Sequence, residues 1–205
     1  MLNKFARAFV TRLLTPVARL ALRVGLTPDM VTIIGTIGVC LGALIFYPRH
    51  EFLIGTLVIA VFVFSDTLDG TMARLSGQTS RWGAFIDSTL DRIGDGAVFG
   101  GLLLCFASRP GMELTAWFAL ACLVFGFVTS YARARAEGLG VTAANVGIAE
   151  RADRLVVALV GTGLTGLFGL PDIVLTILLG LLALASAVTV LQRMIAVRRH
   201  ILAES

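Results

Sequence analysis

Charge is scarce in this 205-residue chain: 15% of its residues are charged and 57% are hydrophobic, against about 25% and about 45–50% in soluble domains. With a mean hydropathy of +0.91, a water-soluble globular protein is excluded and no separate soluble domain fits. Cysteine is scarce as well. Cys40, Cys105 and Cys122 show neither paired metal-ligand spacing nor a disulfide framework, so they read as packing residues. The two histidines, His50 and His200, stand apart near helix ends; an interfacial role is expected for both and a catalytic one for neither. No small-residue cleavage site follows the basic first 25 residues, which therefore do not read as a signal peptide. Membrane lipids, not nucleic acid, are the expected surroundings.

What is abundant is apolar sequence. Continuous runs occupy residues 30–48, 52–72, 84–107, 114–132, 155–171 and 173–192, each near the roughly 20 residues that span a bilayer. They lack the two-residue alternation of barrel strands. The expected fold class is an all-α integral membrane protein of six transmembrane helices, with an interfacial amphipathic helix at the N-terminus. Residues 1–26 form that juxtamembrane helix and 27–205 the six-helix bundle, together one domain. Phe5, Phe9, Leu13, Val17, Leu20 and Val24 make the apolar stripe of the first helix, with a break expected near Pro16.

The basic residues fall on one side. Of the 17 lysines and arginines, only Arg49 and Arg109 lie in loops on the other, so both termini should face the cytoplasm of a bacterial inner membrane.

Against this background four carboxylates stand out. Asp66 and Asp69 are i,i+3, and Asp87 and Asp91 are i,i+4, so each pair projects from one face of its helix. A charge in a spanning segment is costly and needs a partner. The two pairs sit at the cytoplasmic ends of one helical hairpin, where water-soluble and lipid-borne reactants both have access. Oxygen-only ligands favour Mg²⁺ or Mn²⁺ over zinc, and four carboxylates sharing two ions would suit a diphosphate. Asp95, one turn below Asp91, reads as a buried hydrogen-bonding neighbour rather than a ligand. Gly70 and Gly83 beside the acids let a ligand approach closely. Thr27-Pro28-Asp29 is a helix start whose free amides can receive phosphate or nucleotide. The same threonine also makes an ordinary capped span.

The pattern Asp66-x2-Asp69-Gly70-x2-Ala73-Arg74-x8-Gly83-x3-Asp87-x3-Asp91 resembles the complete signature of the CDP-alcohol phosphotransferase family. That resemblance implies six transmembrane helices, a homodimer, and transfer of a phosphoryl-linked group from a CDP-activated donor to an alcohol, with release of CMP. It implies that Asp66, Asp69, Asp87 and Asp91 hold the metals and that Asp91 also takes the acceptor's proton. The donor would be lined by Gly70, Ala73, Arg74 and Ser80, joined by the helix start at Asp29, Met30, Val31 and Thr32.

The acceptor is to be read from basic residues at the same mouth. Several arginines over a metal site suggest an acceptor carrying its own phosphate, although the same residues serve the positive-inside bias. The stretches RVGLTPD, SYARARAEG and IAERADRL resemble the branch of the family that joins CDP-diacylglycerol to inositol phosphate. That closer resemblance implies Arg133, Arg154 and Arg193, with Arg151, as holders of the acceptor phosphate. Glycerol phosphate is the alternative acceptor. A divalent cation transporter is the non-enzymatic alternative, and it calls for acids in the outer halves of the spans, where there are none. An aspartate-rich prenyltransferase would need its acids on distant helices.

Overall fold

The computed structural model describes residues 14–77, 80–141 and 146–204, and among these every regular element is a helix. They are α1 (residues 14–23), α2 (Pro28–Phe46), α3 (Phe52–Val63), α4 (Ser65–Ser76), α5 (Arg81–Ala107), α6 (Glu113–Glu137), α7 (Arg151–Phe168) and α8 (Ile173–Glu204). Four stretches are long and apolar enough to cross a membrane: α2, α3 with α4, α6 and α8. The shorter α7 and the acid-bearing α5 complete the bundle.

The packing closes into a ring. α2 lies against α3 and α5, α5 against α6, α6 against α8, α8 against α7, and α7 returns to α3. Glycines set how closely these helices approach. A Cβ on Gly38 would lie 2.2 Å from the Phe62 ring, and one on Gly101 would lie 2.6 Å from the Ala43 carbonyl oxygen. The small-residue pair Gly38 and Gly42 thus receives α3 within one chain, as expected where helices gain little from the hydrophobic effect and rely on close contact. The centre is filled by Val39, Ala43, Tyr47, Ile59, Val98, Leu102, Phe106, Ala119 and Leu175. Cys105 and Cys122 are buried there too, with unpaired thiols. Within this apolar centre the Tyr47 hydroxyl lies 3.1 Å from both Thr56 and Thr162, themselves 2.8 Å apart, so the buried hydroxyls satisfy one another.

Several boundaries differ from the sequence expectation, each for a local reason. The run 52–72 is interrupted at Phe64, where α3 ends and α4 begins. Ser65 donates its hydroxyl to the Phe62 carbonyl at 2.5 Å, a side-chain bond that competes with the helical ladder. α8 continues well past residue 192, and its Val197 packs on Ala136 and Val141. Apolar runs mark only the part of a helix inside hydrocarbon, and charged ends extend it. Within the described residues α1 runs unbroken through Pro16; Phe5, Phe9 and Leu13 lie outside them. Val17, Leu20 and Val24 are exposed, while Ala18 and Ala21 are buried against Val31 and Met72. His50 is not isolated: its Nε2 lies 2.9 Å from Asp172, which Arg109 also meets at 3.1 Å. That cluster ties together the end of the bundle remote from the acids.

Candidate active site

The site is built where three helix ends converge. Thr27 caps α2, its hydroxyl accepting the Met30 amide at 3.2 Å, with Pro28 and Asp29 in the first turn. One turn further, Thr32 donates to Asp69 at 2.5 Å, Oγ1 to Oδ2. The bond is buried at both ends, and a hydroxyl proton given to an ionised carboxylate makes one of the stronger hydrogen bonds available. α4 ends at Gly77, whose φ of 68° is left-handed and lets its amide close on the Ala73 carbonyl. α5 then starts from Ser80, whose hydroxyl accepts the Gly83 amide at 2.9 Å. A Cβ on Gly83 would sit 3.6 Å from Asp29 Oδ1, so the starts of α2 and α5 face each other.

The residues expected to line a donor are therefore brought together from three elements. Asp29, Met30, Val31 and Thr32 form the first turn of α2; Gly70, Ala73 and Arg74 lie on α4; Ser80 caps α5. Arg74 is exposed and donates to Thr71 at 3.1 Å. Val31 is an exception in role, because its side chain is buried against Ala18, Ala21 and Met72, leaving only its backbone near the mouth.

Asp66 and Asp69 fall on α4, Asp87 and Asp91 on α5; the Asp66 side chain lies outside the described residues. Thr32, which holds Asp69, shares a small cavity with Asp91, Asp95 and Arg151. Asp91 also opens onto a much larger cleft of 820 Å³. Its carboxylate meets Arg151 at 2.6 Å, Oδ1 to Nη2, and Arg92 at 3.5 Å. Asp95, buried one turn below, meets Arg151 at 3.2 Å, Arg92 at 3.7 Å and Arg154 at 3.9 Å. This agrees with its expected place as a buried neighbour, and three cations keep its charge from being uncompensated, a fault that costs about 3–5 kcal/mol.

The large cleft gathers all four arginines expected for an acceptor. Arg133, Arg151, Arg154 and Arg193 line it with Asp87 and Asp91. Arg154 is 1% exposed. It gives one hydrogen bond, Nη1 to the Ala149 carbonyl at 3.2 Å, while its Nε and Nη2 have no hydrogen-bond partner among the described residues. Arg193, also buried, is fixed by the Val146 and Thr129 carbonyls at 2.8 and 2.7 Å and lies 3.5 Å from Glu150. Arg133 is more exposed and pairs with Glu137 at 2.9 Å. Buried guanidinium nitrogens left without acceptors are costly unless an anion completes them.

Two contributors were not legible as site residues in the sequence. Arg92 reads there as a basic residue near the cytoplasmic side and, with Arg74 and Arg81, as an ion-pair partner of the acids in the alternative to a metal site; Glu150 is only part of a charged loop. A further signal for Arg92 is its place between Asp91 and Asp95 on the same helix.

A closed helical ring whose acids and arginines share one cleft defines the class. Residues 25–151 match the CDP-alcohol phosphatidyltransferase family, and the chain belongs to it and is an enzyme of that kind. Its relatives are more specific. A protein of Streptomyces avermitilis named phosphatidylinositol phosphate synthase is 53% identical over 98% of this chain and 84% of its own length. A Cutibacterium acnes protein of the same name is 51% identical over 97% of this chain and 98% of its own. Among solved structures, the Mycobacterium tuberculosis phosphatidylinositol phosphate synthase with CDP-DAG bound superimposes with a TM-score of 0.86 at 44% identity, covering 91% of this chain and 94% of that one. The same enzyme in complex with manganese and citrate gives 0.86 at 44%, covering 90% and 88%.

Proposed function

We propose that this protein is a phosphatidylinositol phosphate synthase, which transfers the phosphatidyl group of CDP-diacylglycerol to inositol phosphate and releases CMP. The observation that carries the acceptor assignment is the buried Arg154, with two nitrogens awaiting an acceptor, in the same cleft as Asp87 and Asp91. Arg193 and Arg133 complete an anion subsite around it, and the family's donor accounts for the other mouth.

The carboxylates fit a hard divalent cation. Asp66, Asp69, Asp87 and Asp91 would hold Mg²⁺ or Mn²⁺, two ions in this reading, and the Thr32 hydroxyl orients the Asp69 carboxylate. When bound, such ions polarise the diphosphate and stabilise the departing CMP. The donor's cytidine diphosphate end lies along Asp29, Met30, Val31, Thr32, Gly70, Ala73, Arg74 and Ser80. Its acyl chains stay in the bilayer. Arg133, Arg154 and Arg193 hold the phosphate of the acceptor, so that one inositol hydroxyl faces Asp91. Asp91 takes that hydroxyl's proton as the oxygen attacks the phosphatidyl phosphorus and the bond to CMP breaks. Arg151 holds the Asp91 carboxylate in place for that step.

In the membrane we read one domain of six spans, with α3 and α4 crossing together. α1 lies on the inner leaflet through Val17, Leu20 and Val24. The positive-inside bias of the basic ends supports a reading with both termini and the cleft on the cytoplasmic side of a bacterial inner membrane. A homodimer is the assembly that the family favours. Labelled inositol phosphate should pass into organic-soluble lipid only when CDP-diacylglycerol and Mg²⁺ or Mn²⁺ are present; label that stays in the aqueous phase overturns this reading.

A further inference from the structure

A second groove lies next to the cleft, between α6 and the cytoplasmic part of α8. It has a volume of 540 Å³, and its floor and walls are mostly apolar, including Val128, Leu139, Val190 and Met194. Its apolar wall is built rather than incidental: Val197, which lines the groove, packs on the buried Ala136 and Val141. Two exposed arginines, Arg135 and Arg198, also line it. They stand about two turns beyond Val128 and Val190 respectively, so the two helices present them at similar heights. Among the described residues neither makes an ion pair, whereas Arg133, on the cleft side of α6, is paired with Glu137. Tyr131 and Arg193 line both cavities and form the partition between them.

We infer that this groove is a binding site for an anionic phospholipid, separate from the substrates of the reaction. A lone positive-inside bias would scatter basic residues over the cytoplasmic ends. Here two of them flank an apolar trough that descends toward the membrane interior. An acyl chain fits the trough between α6 and α8, and the two guanidiniums receive the headgroup phosphate in their planar forks. A zwitterionic lipid would bring an ammonium to the same cations and lose by it. The site goes beyond the reaction assigned above and does not depend on it.

The test uses the full chain purified in detergent, with phosphatidylglycerol and phosphatidylcholine as probes and retained lipid counted by native mass spectrometry. Phosphatidylglycerol should be retained at least about tenfold better than phosphatidylcholine, from two basic side chains at an anionic headgroup. Arg135→Gln with Arg198→Gln should bring the two lipids to within about twofold, and Arg135→Glu with Arg198→Glu should reverse the order. Arg133→Gln, on the cleft side of the partition, should leave the preference intact, and saturating inositol phosphate should not compete. Equal retention of both lipids by the native chain overturns the inference. So does a double variant that keeps the preference. Loss of a dimer in the double variants, seen by light scattering, would instead make this face a contact between two copies and would equally overturn it.

Discussion

Arg151 and Asp91 are joined by a 2.6 Å ion pair, and the same guanidinium reaches Asp95 at 3.2 Å. Two of its three nitrogens are thus committed to carboxylates of α5. On the proposed reading, that geometry favours Arg151 as a positioning residue for Asp91 over a main holder of the acceptor phosphate. Arg151→Gln should lower kcat by about ten- to a hundredfold, as loss of an orienting partner does, with KM for inositol phosphate within about threefold of the native value. Steady-state kinetics with the acceptor varied separate the two; a rise in KM with kcat unchanged would return Arg151 to the phosphate subsite.

Arg154 should behave in the opposite way. Its Nε and Nη2 have no hydrogen-bond partner among the described residues, so on the proposed reading Arg154→Met removes a charge-assisted bond to substrate worth about 1.5–3 kcal/mol. KM for inositol phosphate should rise by roughly ten- to a hundredfold. The thermal midpoint in detergent should not fall, because an incompletely satisfied buried cation is lost at the same time. A large drop in the midpoint would show that the residue holds the fold instead.

Thr32 links the start of α2 to α4 through Asp69. Thr32→Val keeps the shape and removes the proton donor, so Asp69 loses its orientation. Mn²⁺ affinity, read by the electron paramagnetic resonance signal of free Mn²⁺, should weaken by about ten- to a hundredfold. An unchanged titration would remove Asp69 from the metal set or Thr32 from its support.

Two glycine substitutions separate packing from site geometry. A Cβ at position 35 would lie 1.8 Å from Ser65 Oγ, beside Asp66, whereas one at 101 would press on the Ala43 carbonyl away from the acids. Gly35→Ala and Gly101→Ala should each destabilise by about 1–3 kcal/mol. Only the first should also weaken Mn²⁺ binding. Thermal unfolding and the same Mn²⁺ titration, run on both variants, check the pair.

The acids were legible in the sequence because the membrane makes them conspicuous: Asp66, Asp69, Asp87 and Asp91 break runs in which almost nothing else is charged. The helical class was legible for the same reason. The order of helices around the ring was not, since it depends on which glycine meets which side chain, as Gly38 meets Phe62. Nor was the break at Phe64, inside a stretch read as one span, where the Ser65 hydroxyl donates to the Phe62 carbonyl as the chain turns from apolar α3 to the polar start of α4. The pairing of His50 with Asp172 joins positions far apart in the chain, which no local pattern carries. The arginines could be grouped by resemblance, but only the fold divides them into Arg154 and Arg193, buried and facing the cleft, and Arg151, turned toward Asp91.

The most direct measurement is CMP release from CDP-diacylglycerol in the presence of Mg²⁺, with inositol phosphate, glycerol phosphate and unphosphorylated inositol offered in turn to the native enzyme and to Asp91→Asn. Release should require inositol phosphate, and Asp91→Asn should lower it by about 10²- to 10⁴-fold. Release with glycerol phosphate and none with inositol phosphate, or full activity in Asp91→Asn, would contradict the account.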